Sequence, residues 1–460
     1  MNVSVVNTTR YRTYDVLIAG GGLAGITAAI SAARNGARAA IIEQSGWLGG
    51  QGVAGATGLH SFYNIFGASP GAVRRRLVAG IAQELVDRAA ELGGAIGHVP
   101  MEKGGDFVSM LTPVDPEVFK VGSAQLCLEA GVDLHLRTVM DEVRAADGHV
   151  EGVVVWNKAG RSLIRAAQYV DCTGDGDLAA EAGAAFQHFR QGDLGAYAAG
   201  FTFRLCNINL DAMETDLEQR KMITQLAHAV KPGGSRSDIV RLGINMRFLH
   251  DAKVPAAPQY FLATSIRPRE LTHCNCINYG PNDGLDPDAL SSAETDLRYR
   301  MLRVADVFRA QIRGCEECYP AGPSPFAGQR RARAIRCHYD LTEDDCVRGR
   351  SFEDQVGCFG FIDNPKRFVR NAGAYGIPYR ALIPKGLDNV LIAGRMMSVD
   401  TVAHNSTRNT ACCMVSGEAA GAGAAMAALY GITPMEVDPE ELRSRLQDDR
   451  VLLEPRDEPE

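Results

Sequence analysis

The stretch Tyr14-Asp15-Val16-Leu17-Ile18-Ala19-Gly20-Gly21-Gly22-Leu23-Ala24-Gly25 decides the fold. Its largely apolar start reads as a short buried strand. Three glycines follow at G-x-G-x-x-G spacing, before a small-residue helix from Ile26 to Asn35. Gly20 permits the tight turn, Gly22 lets backbone approach a pyrophosphate, and Gly25 lets helix and strand pack closely. Leu23 and Ala24 lie within the glycine turn, and the free N–H groups and positive dipole end of the helix after it suit phosphates. A second apolar strand, Ala37 to Ile42, ends in Glu43 and Gln44, with Glu43 eighteen residues after Gly25. An acid at that place meets a ribose 2′-OH and disfavours a 2′-phosphate. The unit reads as a βαβ dinucleotide site.

At 460 residues the chain is too long for one simple core, so two interleaved domains are expected. A net charge of −7 argues against a general nucleic-acid binder. Met1 to Thr13 is polar and lacks the apolar run of a signal peptide, so a cytoplasmic location is expected. The most membrane-like stretch, Thr410 to Leu429, is rich in alanine and glycine and carries Glu418. It reads as a buried helix and not as a span. Twelve scattered cysteines in such a chain are expected as free thiols.

Along the chain, Gly46-Trp47-Leu48-Gly49-Gly50-Gln51-Gly52 is a loop directly after the Glu43 strand. Apolar spacing predicts a helix within 70–93, with Val73, Leu77, Ile81, Leu85, Val86 and Ala89 on one face, and another over 116–130. Strands are expected at 132–136, 150–156 and 162–170, the last running into Asp171-Cys172-Thr173-Gly174-Asp175-Gly176-Asp177. Residues 186–370 change character and include one clear helix, 287–313. From Ile377 the pattern returns to nucleotide-fold type, with strand Asn389 to Ala393 closing on Gly394-Arg395 and a small-residue helix over 410–430. The charged stretch 431–460 is expected to be a C-terminal tail with one short helix and then disorder.

Together these motifs resemble the FAD-dependent oxidoreductases with a glutathione-reductase-type nucleotide fold. The resemblance rests on the opening run, Glu43, Leu48 to Gln51, Val170 to Asp177 and Tyr339 to Asp345, and on Ile377 to Pro384, Asn389 to Arg395 and His404 to Gly421. It implies an α/β fold: a Rossmann-like FAD-binding domain split in sequence (14–185 and 371–430), an inserted α+β substrate domain (186–370) and a tail (431–460). It also implies non-covalent FAD. Gly20, Gly22 and Gly25 would cradle the diphosphate, with Leu23 and Ala24, and Glu43 and Gln44 would meet the ribose. Val139 would grip adenine through its backbone. Thr173, Gly174 and Asp175 would pass near diphosphate and ribose, Gly394 and Arg395 would reach the ribityl chain, and Gly49, Gly50 and Gln51 would run toward the ring. The closing helix would point its N-terminus at the flavin, where reduction places negative charge.

FAD carries the redox step, so the protein must move protons and anchor substrate. His404, in Val402-Ala403-His404-Asn405-Ser406-Thr407-Arg408, is the expected general acid or base, because imidazole titrates near neutral pH. Arg408 suits a carboxylate or a developing charge. Tyr379 and Arg380 stand equally well as cavity residues or structural ones. Arg330, Arg331 and Arg333 would face an anionic substrate or, the favoured reading, pair structurally with Glu343, Asp344 and Asp345. Cys274/Cys276 and Cys315/Cys318 match no standard metal module, so no metal is expected. His60 is weighed as a covalent flavin link and set aside in favour of non-covalent FAD.

The expected reaction is dehydrogenation or oxidation of a small polar molecule, an alcohol, hydroxy acid, sugar derivative or amine, with O₂, a quinone or a carrier protein as acceptor. An alkene reductase, a hydroxylase and a flavin electron-transfer subunit are the alternatives. Neither nucleic acid nor a membrane span is expected, and a homo-oligomer stays open.

Overall fold

The computed structural model describes residues 6–54, 75–105, 108–255, 257, 259–364, 366–370 and 373–457; Val73 and His60 lie outside them. The opening stretch forms strand Tyr14–Ala19, turns at Gly20 and enters helix Leu23–Arg34. The strand is buried on both faces, so its near-continuous apolar run suits the middle of a parallel sheet. That sheet has five parallel strands in the spatial order Val390–Ile392, Ala166–Asp171, Tyr14–Ala19, Ala39–Glu43, Asp133–Leu136. Ala19 pairs with Asp171, and Asp171 with Ile392. The sequence-distant closing strand therefore completes the first domain, which is a Rossmann-like sheet split in sequence. An antiparallel meander, Val139–Ala146, His149–Asn157 and Gly160–Ile164, sits beside it.

Helix Thr410–Tyr430 packs along helix Leu23–Arg34 with almost no side chain between them. A Cβ on Gly417 would lie 2.2 Å from the Ala24 carbonyl oxygen, and one on Gly421 would lie 2.1 Å from that of Ala28. The Thr27 hydroxyl crosses the gap to donate to the Met414 carbonyl at 2.8 Å. This is the one described helix long and apolar enough to cross a membrane, and it is enclosed in the core.

The insertion has a six-stranded antiparallel sheet in the order Ile223–Val230, Ser237–Asn245, Tyr260–Thr264, Glu270–Pro281, Ala198–Cys206, Tyr319–Ala321. One face buries Phe201, Phe203, Leu242, Ile244, Phe261 and Ala263 against helix Pro287–Gln311, through Leu297, Val304 and Phe308. Asp286 caps that helix by accepting from Asp288 N at 2.9 Å, with Pro287 in the first turn.

Two elements pack differently from the sequence expectation. The insertion's apolar core runs from Ala199 to Ala327, whereas Leu341, Cys346, Val356, Phe359 and Val369 join the nucleotide-domain core. The tail is docked: helix Pro439–Asp448 buries Leu442 and Leu446, and Arg456–Asp457 pairs with Arg75–Arg76. Two leucines four residues apart suffice to hold an otherwise charged helix against the core.

Candidate functional site

The opening turn is built by exclusion. Gly20 has φ +98°, and a Cβ there would lie 2.5 Å from the Cys172 carbonyl oxygen. A Cβ on Gly25 would come 1.9 Å from the Gly20 oxygen, so helix and turn touch as backbone. Gly22 is the helix N-cap with no side chain closing it, which leaves first-turn N–H groups for a ligand. The Gly49–Gly52 loop closes on the same turn. Gly49 N donates to Gly21 O at 2.9 Å, and a Cβ on Gly50 would lie 2.8 Å from Gly22 Cα. Glu43 is held ready at its strand end, with Oε2 accepting from Gly21 N at 2.8 Å and Oε1 from Ser45 N at 2.6 Å.

A second turn faces the first. Buried Asp171 accepts from Thr173 N, Thr173 Oγ1 and Ala179 N at 3.0, 2.8 and 2.9 Å, and burial raises its pKa to about 6. Gly174 has φ +88° and lies under the Arg395 guanidinium; a Cβ there would sit 2.8 Å from Nη1. Arg395 Nη2 donates to Asp175 Oδ2 at 2.6 Å. Gly394 N donates to Ser416 Oγ at 3.1 Å, tying this turn to the closing helix.

Between the turns runs a cavity of about 780 Å³. Its wall includes Gly20, Gly22, Leu23, Ala24, Glu43, Gln44, Gly50, Gln51, Val139, Thr173, Gly174, Asp175, Gly394 and Arg395. Gly25 and Gly49 stand behind that wall as spacers. Buried wall atoms without partners include Gln51 Oε1, Asp175 Oδ1, Arg395 Nε, Gln329 Oε1 and Thr410 Oγ1. Such atoms, with the uncapped helix, fit a long polar ligand of the FAD type.

The cavity continues to the closing helix through Arg408, Thr410 and Cys413. Asn409 occupies the N-cap without capping; its amide donates backwards to Asn405 O and Ser406 O at 2.9 and 2.8 Å. The positive helix end is thereby left to the cavity. Arg408 pairs with Asp363 while its Nε, buried, has no partner.

His404 is not on this wall. It is fully buried, and its Nε2 donates to the Arg330 carbonyl at 3.2 Å, which fixes that tautomer, while Nδ1 has no partner. Desolvation, reinforced by Arg331 and Arg408, pushes its pKa well below the usual imidazole range. The expectation of a proton-transferring His404 at the cavity is thus corrected: its ring points inward from helix Thr401–Thr407, toward Tyr197 5.4 Å away. Tyr379 and Arg380 are also away from the cavity. Tyr379 packs on Gly423, and Arg380 donates to Asp354 at 2.8 Å and covers the Tyr339 ring.

The arginine-dense stretch does not pair with residues 343–345. Arg330 donates to Ala198 O and Asn278 Oδ1, Arg331 lies over the Phe189 ring at 3.8 Å, and Arg333 reaches Asp177 on the cavity wall. Cys274, Cys276, Cys315 and Cys318 are buried thiols of the insertion's core. The wall also contains residues that the sequence did not point to, Glu181, Leu290, Glu294, Phe326 and Gln329, and it takes in Arg333 from the arginine-dense stretch. They come from the end of helix Asp177–Glu181, the first turns of helix Pro287–Gln311 and the stretch 326–333, segments far apart in the chain.

A profile of the family described as FAD dependent oxidoreductase matches residues 15–446. Among solved structures, a geranylgeranyl bacteriochlorophyll reductase-like protein from Thermoplasma acidophilum is similar over 96% of this chain and 84% of that one, at 14% identity and a TM-score of 0.46. The p-nitrophenol 4-monooxygenase of Pseudomonas putida is similar over 95% of this chain and 85% of that one, at 11% identity and a TM-score of 0.48. No curated protein matches the chain.

Proposed function

The chain belongs to the FAD-dependent oxidoreductase family, and on that premise we propose that it is a reductase of small unsaturated organic acids. FAD, when bound, supplies the two-electron transfer. Gly20, Gly22 and the start of helix Leu23–Arg34 would hold its diphosphate and Glu43 its ribose, with Arg395 and Gln51 along the remainder.

The observation that carries the direction is the pairing of Arg408 on the wall with His404 behind it. Dehydrogenation of an alcohol or amine needs a base for the departing O–H or N–H proton. His404 is sealed and its basicity lowered. The wall carboxylates among the described residues are already engaged: Glu43 by two N–H groups, Asp175 by Arg395, Asp177 by Arg333, Glu181 by Val143 N, and Glu294 by Arg298 and Ala327 N. What the wall offers is a cation and a helix N-terminus, both suited to holding an anion, and the proton that the reduced double bond takes up with the hydride would come from the Arg408 guanidinium, which solvent would reprotonate. Asp363 is the more exposed partner of Arg408, at 43% of its side chain against 17%, so an incoming carboxylate can replace it.

The test is anaerobic. Photoreduced holoprotein is mixed with a panel of α,β-unsaturated carboxylates while the visible flavin band is followed. The band is expected to return with at least one acid. Arg408→Met is expected to raise the KM by about 30- to 150-fold with FAD content unchanged, from the loss of about 2–3 kcal/mol in charge-assisted hydrogen bonds. Bleaching of oxidised protein by hydroxy acids, polyols or amines overturns the reading in favour of dehydrogenation. Turnover that requires O₂ overturns it in favour of hydroxylation.

A further inference from the structure

The stretch Cys315-Glu316-Glu317-Cys318 joins helix Pro287–Gln311 to the edge strand Tyr319–Ala321 of the insertion's sheet. Cys318 N donates to Cys315 O at 2.9 Å, which closes a four-residue turn. Such a turn brings its first and last Cα atoms to within about 7 Å. A disulfide spans about 4.4–6.8 Å between Cα atoms, so the backbone is already within its reach. Both flanks fix the turn: Asn209 N donates to Gly314 O at 2.8 Å, and Tyr319 pairs with Cys206. Gly314 has φ +86°, and a Cβ there would lie 2.5 Å from Asn209 O.

Both cysteines pack in the insertion's core, while Glu316 and Glu317 between them are exposed, so the thiols sit directly under a surface turn. The two thiols are in contact. The hydrogen bond from Cys315 lowers the Cys318 pKa, against desolvation and with help from the Arg309 charge, and the same bond with burial raises that of Cys315. Arg309 Nη1 is held there by donating to Cys318 O at 2.8 Å. Neighbouring cysteines elsewhere are placed differently. Cys274 and Cys276 stand two apart on strand Glu270–Pro281, where side chains lie about 6.8 Å apart, beyond the Cβ spacing of about 3.5–4.5 Å that a disulfide takes. Cys412 and Cys413 are successive residues of helix Thr410–Tyr430, and their side chains do not face each other. No group of three or more His, Cys, Asp or Glu among the described residues is arranged to hold a metal ion.

We propose that Cys315 and Cys318 are a reversible dithiol–disulfide site whose oxidant is hydrogen peroxide, with Cys318 as the attacking sulfur. Hydrogen peroxide is scarcely larger than water and reaches thiols that bulky reagents do not. The Cys318 thiolate attacks one peroxide oxygen, and the O–O bond breaks. Cys318 becomes a sulfenic acid, and the hydroxide released takes up the proton that the thiol lost. The Cys315 sulfur then attacks the Cys318 sulfur; the S–S bond forms, the S–O bond breaks, and a second water leaves with the Cys315 proton. The two thiols give up two electrons, and one peroxide becomes two waters. An external dithiol reverses the step by exchange. Neither thiol lines the FAD cavity, so the site stands independently of the direction of electron transfer, and its test needs no turnover.

The test uses FAD-loaded protein, reduced with dithiothreitol, desalted and treated with hydrogen peroxide while folded. The protein is then denatured, alkylated and cut with trypsin. Peptide 314–330 contains Cys315 and Cys318 and no other cysteine. It is expected to lose both alkylation sites and two hydrogens together, and to regain them with dithiothreitol. The change is expected at least about tenfold faster than oxidation of the peptide that holds Cys274 and Cys276, because susceptibility follows thiolate character and access. With dimedone present during the peroxide treatment, Cys315→Ser is expected to carry the tag on Cys318, and Cys318→Ser to leave Cys315 untagged. The wild-type peptide decides the matter even where a variant does not fold. The proposal is overturned if both cysteines of peptide 314–330 remain free after peroxide, if either is found joined to Cys274, or if they pass to sulfinic acid with no disulfide. A tag on Cys315 in Cys318→Ser, with none on Cys318 in Cys315→Ser, overturns the role of Cys318.

Discussion

Adding one methyl group at Gly417 tests the contact on which the cofactor cradle rests. Normally alanine for glycine inside a helix gains about 1 kcal/mol through lower backbone entropy. Here the new Cβ would lie 2.2 Å from Ala24 O and 2.3 Å from Thr27 Oγ1. An ordinary carbon–oxygen contact is about 3.3 Å, so the two helices must part by about 1 Å. The Ala24 oxygen and Cα are backbone of a packed helix and cannot rotate away, which puts the cost near the upper end of the usual overpacking range, about 3 kcal/mol. The net is about 2 kcal/mol destabilising, the opposite sign from a free helix. Ala24 also lines the FAD cavity, so the displacement reaches the diphosphate end. Thermal release of FAD, read by its fluorescence, should shift down by a few degrees in Gly417→Ala. Thr27→Ala should not rescue it, because Ala24 O remains in the way. A Gly417→Ala protein that melts at or above wild type would refute the backbone contact between these helices.

Further outcomes follow from other groups. Glu43→Ala removes the acceptor for Gly21 N and Ser45 N and the ribose partner; FAD Kd should rise by about 10- to 100-fold in a fluorescence titration, at about 1.5–3 kcal/mol for hydrogen bonds to a charged group. Glu418 is buried, accepts from Ile81 N at 3.2 and 3.1 Å, and has its pKa raised well above the ordinary value by desolvation. A raised carboxyl pKa contributes stability that is full below the unfolded value and lost as pH climbs toward the folded one. Glu418→Gln does not titrate, so its melting temperature should gain on wild type as pH rises above the ordinary carboxyl range; a constant difference would contradict the assignment. Among the cysteines only Cys206 and Cys413 are partly exposed, and Cys413 lines the FAD cavity. A thiol reagent should therefore label these two ahead of the buried ten in apoprotein, Cys206 alone of the two in holoprotein, and all twelve after denaturation.

What was legible in the sequence is what depends on backbone approaching backbone or phosphate. Gly20, Gly25 and Gly174 must be glycine at fixed offsets from a strand end, and Gly22 leaves the helix start without a side-chain cap, so their spacing reads directly as geometry. Glu43 is legible for the same reason: it closes a strand whose register with Tyr14–Ala19 fixes where its carboxylate arrives. Depth was not legible. His404 and Arg408 are one helical turn apart beside the same helix start, yet one is sealed behind Arg330 and the other reaches the cavity. Tyr379 and Arg380 sit in a suggestive place in the chain, but the packing of Tyr379 on Gly423 turns them to the outer side of the closing helix. The same blindness hid Leu290, Phe326 and Gln329, whose meeting at the cavity is set by how the insertion's sheet lies over the first domain.

Charge accounting explains why the cradle relies on glycine. Arg333, Arg395 and Arg408 are on the cavity wall, but Asp177, Asp175 and Asp363 already pair with them. Little net positive charge is left for a diphosphate. Its attraction must come from first-turn N–H groups and the dipole of helix Leu23–Arg34, which act only where backbone can come close. A side chain at Gly20 or Gly25 would hold that backbone away, and the charges of Arg333 and Arg395 are already met by Asp177 and Asp175. Arg333 and Arg395 serve the architecture instead. Half-buried and paired, Arg395 fixes the turn at Gly174, which Gly394 ties to the closing helix, and the helix end and Arg408 line the same cavity.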